Sequence, residues 1–100
     1  MTSKQRAYLK SLAVKLDTIF QIGKGGVTEE LCNQLLNALN ARELIKIKAL
    51  ETSPVTAREA AEDISRSIGA EVVQVIGTKI VLYRVSDNEK NRKIDISKIR

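Results

Sequence analysis

The sequence predicts one compact α/β domain of order α-β-α-β-α-β-β, built on a four-stranded mixed sheet. Apolar residues repeat at helical spacing in three windows, and β-rich runs of strand length separate or follow them. At 100 residues the chain suffices for one core rather than two.

The first window covers residues 3 to 16. Thr2 with Gln5 forms a capping box, and Leu9, Leu12, Ala13 and Leu16 fall on one face. Lys4, Tyr8, Ser11 and Lys15 make a stripe beside that face, and Arg6 and Lys10 flank its opposite edge. "DTIFQIG" is an apolar run of strand length. It passes through Gly23, Lys24, Gly25 and Gly26 into "TEELCNQLLNALNA", where Thr28 suits the helix cap and Glu29 and Glu30 suit the positive end of the dipole. Leu31, Leu35, Ala38 and Leu39 form the buried face of this helix, with Cys32 at its margin as a small hydrophobe.

"ELIKIKALE" alternates with period two, which sets Ile45, Ile47 and Ala49 on one side of a strand and Lys46 and Lys48 on the other. Pro54 ends that segment. In "VTAREAAEDISRSIGA" a capping box of Thr56 and Glu59 opens a helix, Ala57, Ala60, Ala61, Ile64 and Ile68 mark its core face, and Gly69 terminates it. "EVVQVIGTKIVLYRV" reads as a hairpin turning at Gly77 and Thr78. Its expected register puts Val73, Val75, Ile80 and Leu82 on one face, and Val72, Ile76, Val81 and Tyr83 on the other, partly under the first helix. Right-handed crossovers make the first strands parallel and leave the hairpin antiparallel. Residues 1–85 then form the domain. The basic, polar segment 86–100 is expected to be a flexible extension, with an extra strand around Ile94 to Ile96.

The formal net charge is +5, from 17 Lys and Arg against 12 Asp and Glu, and histidine is absent. The excess is uneven: residues 1–26 carry net +4 and residues 86–100 net +2, while residues 27–54 carry net −1 and residues 55–85 are balanced. Such clustering is the electrostatic footprint of a nucleic-acid binder. One cysteine forms no internal disulfide, and the charged N-terminus and the lack of a long apolar run fit a soluble cytoplasmic protein with no membrane partner. With the lone cysteine read as buried and the carboxylates in helix-start or solvated positions, the chain is expected to be no enzyme, with no catalytic residue, metal, cofactor or small-molecule substrate.

The glycine stretch has two readings, a tight turn bearing a solvated lysine or a loop whose bare backbone approaches an anion. Its spacing fits neither the dinucleotide fingerprint nor the Walker pattern, which leaves G-x-x-G across Gly23 to Gly26. Lys24 adds a donor at the tip, and Thr28 offers a hydroxyl that serves either as cap or as a further contact.

The basic first helix, the G-K-G-G loop after a short strand, "NALNARELIKIK" and "IGTKIVLYR" together resemble the CRM domain, named for chloroplast RNA splicing and ribosome maturation. The likeness is to its bacterial stand-alone YhbY-like branch, over roughly residues 3 to 85. The resemblance implies an RNA-binding domain similar in fold to the C-terminal domain of translation initiation factor three. It also implies association with large-subunit ribosomal RNA in pre-ribosomal particles and a part in ribosome assembly. Carried over by position, loop contacts fall on Gly23, Lys24, Gly25 and Gly26, and helix contacts on Lys4, Arg6, Lys10 and Lys15. The segment past Val85 matches no family motif. With Tyr8, Phe20 and Tyr83 as the only aromatics, recognition is expected to rest on backbone and shape rather than on base stacking. The expected binder is a monomer whose first helix and glycine loop form one basic surface. The alternative is a protein-interaction adaptor on a ribonucleoprotein, docking through Tyr8, Val14 or an open sheet face without touching RNA.

Overall fold

The computed structural model describes residues 1–99. Its elements are α1 (Ser3–Ala13), β1 (Thr18–Ile22), α2 (Glu29–Arg42), β2 (Leu44–Ala49), α3 (Ala57–Ile68), β3 (Glu71–Ile76) and β4 (Lys79–Tyr83), in the expected order. The caps fall where the sequence places them. Thr2 with Gln5 and Thr56 with Glu59 close capping boxes, Thr28 caps α2, and Gly69 ends α3 in the left-handed conformation at φ 67°. Helix α1 stops at Ala13 rather than residue 16, and the Leu16 N–H donates back to the Ala13 carbonyl at 3.0 Å to turn the chain toward β1.

Strand order is β1-β2-β4-β3. β1 and β2 run parallel, and β4 is antiparallel to both β2 and β3, so β1, β2 and β3 all point the same way. Both crossovers, β1-α2-β2 and β2-α3-β3, progress in one direction across the sheet. Right-handed connections therefore put α2 and α3 on the same face, and α1 is left to pack on the other. The larger core lies under α2 and α3, around Leu35, Leu39, Ile45, Ile47, Ile64, Ile80 and Leu82. A smaller one joins Leu9 and Ala13 of α1 to Leu44, Val73, Val81 and Tyr83.

The hairpin corrects one expectation. A bulge between Val72 and Gln74 shifts the register of β3, so Val73 faces α1 while Val72 and Val75 pack against the larger core. One extra residue in a strand flips every side chain before it. Ile80 and Leu82 keep the expected face.

Residues 86–99 also depart from expectation, because they dock along the end of the sheet where β2 starts and β4 finishes. Short 3-10 turns, Glu89–Asn91 and Ile96–Lys98, replace the strand expected near Ile94 to Ile96. The anchor is Glu43, fully buried at the C-cap of α2 with φ 65°. Its carboxylate accepts backbone N–H bonds from Ser86 at 2.9 Å, Lys93 at 2.8 Å and Ile94 at 3.2 Å, and its carbonyl accepts the Arg84 N–H at 2.9 Å. A left-handed backbone would favour glycine; here the side chain repays that strain by satisfying three donors that the tail brings in. The Gln5 amide donates to the carbonyls of Ile96 and Ile99, and Ile94 and Ile96 pack on the smaller core.

Glu43→Ala leaves those N–H groups without their acceptor and is expected to cost at least about 3 kcal/mol, measured by urea unfolding. A second outcome concerns pH. Burial, and then the Glu43 and Asp95 carboxylates, raise the Tyr83 phenol above its ordinary 10.0. Between the unfolded and folded values the unfolded chain releases this proton first, so stability that is intact below pH 10 falls above it. Unfolding curves of Tyr83→Phe are expected to lose less stability over that alkaline range than those of the native chain.

Candidate nucleic-acid interface

The glycine stretch leaves β1 at the C-terminal end of the parallel strands. The Gly26 N–H donates to the Gly23 carbonyl at 3.0 Å, closing a tight turn with Lys24 and Gly25 exposed at its tip. Gly26 is required by the fold: its φ is 68°, and a Cβ there would stand 3.0 Å from Pro54 Cγ. Gly23 and Gly25 are different, since a Cβ on either meets nothing nearer than 3.8 Å. The bare backbone at Gly25 answers no packing need inside the molecule. Thr28 is occupied as a cap, its Oγ1 accepting the Leu31 N–H at 3.1 Å.

Beside the loop lies a set of lysines that the sequence count concealed. Since Ile45, Ile47 and Ala49 of β2 and Ile80 and Leu82 of β4 face the larger core, Lys46, Lys48 and Lys79 face the α1 side. Helix α1 packs on Leu44, Val73, Val81 and Tyr83, and leaves Lys79 exposed and Lys46 and Lys48 half-buried. Lys48 pairs directly with Lys79 across β2 and β4, and with Gln21 across β1 and β2, two residues before Gly23. Like charges opposed in a sheet oppose folding. Among the described residues the ion pairs are Arg66–Asp63, Arg84–Asp87 and Arg92–Glu89, so none neutralises a lysine.

The balanced charge of the middle of the chain is therefore balanced only in sum. Its lysines line one face of the sheet, while Glu29, Glu30, Glu59, Glu62 and Asp63 belong to the helices on the other, where Arg42, Arg58 and Arg66 offset them in part. Alternation in "ELIKIKALE" was the available signal; the pairing of Lys48 with Lys79 was not readable before the strand order was known.

The predicted helix residues divide. Lys15 shares a cleft with Asp17, Arg42 and Lys46, which joins the end of α1 to the sheet lysines and so to the loop. Arg6 and Lys10 line a separate groove toward α3 and the β3 edge. Lys4 is exposed near the start of α1, whose neighbour Gln5 holds the tail. Lys90, Arg92, Lys93 and Lys98 sit on that tail, at the end of the sheet remote from the loop. Cys32 is buried as expected. Among the described residues no group of three or more His, Cys, Asp or Glu is placed to hold a metal ion, and no helix is long and apolar enough to cross a membrane.

Comparison with known proteins finds relatives of the whole chain. The family model described as the CRS1 / YhbY (CRM) domain matches residues 1–84. The Bacillus subtilis protein named "Probable RNA-binding protein YqeI" is 38% identical over 96 residues, covering 96% of this chain and 98% of its own. A Haemophilus influenzae protein named "RNA-binding protein" is 38% identical over 90 residues, covering 90% of this chain and 91% of its own. The solution structure of SAV1595 from Staphylococcus aureus superposes with a TM-score of 0.76 at 44% identity, over 95% of this chain and 99% of that one.

The unequal glycines make a direct prediction. Gly26→Ala is expected to lose about 1–2 kcal/mol of stability in urea unfolding, from positive φ and the contact with Pro54, while Gly25→Ala stays within about 0.5 kcal/mol of the native chain.

Proposed function

The chain belongs to the CRS1 / YhbY (CRM) domain family, and from that premise we propose that it binds RNA through the lysine-lined sheet face and the Gly23–Gly26 loop. The observation that carries this reading is the run from Lys15 through Lys46 and Lys48 with Lys79 to the loop bearing Lys24, a file of cations without ion-pair partners among the described residues, on a sheet face that α1 covers only in part. Phosphates fit it: each lysine is a mobile point charge, and the bare peptide at Gly25 lets a sugar-phosphate chain come close. The related proteins named above as RNA-binding support the same assignment.

The target we propose is structured ribosomal RNA in precursors of the large ribosomal subunit, held as a cytoplasmic monomer assists assembly. Two of the three aromatics, Phe20 and Tyr83, pack against the cores, so the uncovered sheet face has no stacking platform and reads backbone and shape. A docking surface for protein alone, built on exposed Tyr8 and Val14 of α1, is the competing reading. Salt separates the two, because phosphate contacts release counterions and apolar contacts do not.

Lys24→Glu and Lys48→Glu are each expected to weaken binding to a large-subunit ribosomal RNA fragment about tenfold and to reduce the slope of log affinity against log salt by about one. In gradient sedimentation the native chain is expected to travel with large-subunit precursors and the double variant to stay at the top. Salt-independent association unaffected by either substitution would instead establish the protein-docking reading.

A further inference from the structure

The outer edge of β3 carries backbone groups that no other described residue uses. β3 is terminal in the sheet, and among the described residues no hydrogen bond reaches Val72–Ile76 from beyond its ladder with β4. Because the hairpin turns over two residues, Ile76 and Lys79 close it as a hydrogen-bonded pair. Alternation then makes Val75 and Ile80 a non-bonded pair, with the N–H and C=O of Val75 directed outward.

This edge floors a groove of about 510 Å³ walled by Arg6 and Lys10 of α1 and by Arg58 and Glu62 of α3. Three cations face one carboxylate. The Arg6 Nε is shielded from solvent without a hydrogen-bond partner, a donor that calls for an acceptor. At the upper end Ile76 is 60% exposed.

We infer that this groove takes an extended acidic peptide of a partner protein, which adds to β3 as a fifth strand. An open strand edge offers N–H and C=O alternately, which a second peptide matches group for group. An RNA backbone offers acceptors at its phosphates and one hydroxyl donor at each ribose, so it does not match the N–H and C=O groups of a strand edge group for group as a peptide does. A second copy of the chain, paired β3 to β3, would set Arg6, Lys10 and Arg58 against themselves. Acidic side chains flanking the added strand meet Arg6 and Lys10 on one wall and Arg58 on the other. The site lies at the sheet margin opposite β1 and its glycine loop, so protein and RNA are held at once.

The test uses the full chain and the fluorescein-labelled peptide Glu-Glu-Val-Val-Glu-Glu, which sets acidic side chains on both faces of an added strand, with a counterpart carrying Lys for Glu, read by anisotropy together with amide hydrogen exchange at Val75. The acidic peptide is expected to bind about tenfold or more tighter than the basic one and to slow Val75 exchange, a difference set by charge. Arg58→Glu is expected to weaken the acidic peptide about tenfold, and Arg58→Gln about threefold, with ribosomal RNA affinity unchanged in both. Equal binding of the two peptides, or Val75 exchange that the peptide does not alter, overturns the inference. So does RNA that displaces the peptide and weakens with Arg58→Glu, which would make the groove a nucleic-acid site. Val75 protection that rises with protein concentration alone would make it a dimer interface.

Discussion

Eleven residues of helix cannot roof a four-stranded sheet. Helix α1 is about 16 Å long and about 10 Å wide, whereas four strands of five or six residues spread over about 18 by 19 Å. About half of that face stays open. The direction of the two crossovers commits α2 and α3 to the opposite side, so no other helix is available to close it. Water therefore dictates polar residues at Lys46, Lys48 and Lys79, and the chain fills those positions with one sign of charge.

That choice gives the molecule two unlike sides. Carboxylates collect on α2 and α3, where Glu29, Glu30 and Glu59 sit at helix starts and favour the dipole. Lysines collect on the sheet, where Lys48 opposite Lys79 favours nothing within the fold. Local rules broken without an internal gain are expected at functional surfaces, which is why the proposed RNA site is set here. The glycine motif separates in the same way: Gly26 serves the turn and its contact with Pro54, while Lys24 and Gly25 serve nothing inside the molecule.

Local chemistry was legible in the sequence and long-range consequences were not. Capping boxes, the Gly69 stop and the hairpin at Gly77 each depend on residues a few positions apart, and all form as read. The bulge at Val73 left no trace in a run of β-branched residues, because "EVVQVI" satisfies either register until the partner strand fixes it. The tail looked featureless for a similar reason. Ser86, Ile94 and Ile96 find their partners in Asn40, Glu43 and the smaller core, which are remote in sequence. Glu43 itself reads as an ordinary start to a strand, and the three bonds its carboxylate accepts exist only once the tail returns. Charge counted along the chain located the basic first helix and loop but missed the sheet lysines, which cancel against carboxylates that face the other way.

The open lysine face is the centre of this account, and mapping it with bound RNA tests it most directly. In an NMR titration with a structured large-subunit ribosomal RNA fragment, the amide and lysine side-chain signals of Lys15, Lys24, Gly25, Lys46, Lys48 and Lys79 are expected to shift, with α2 and α3 unmoved. Shifts confined to α2 and α3, or to the docked tail, would contradict it.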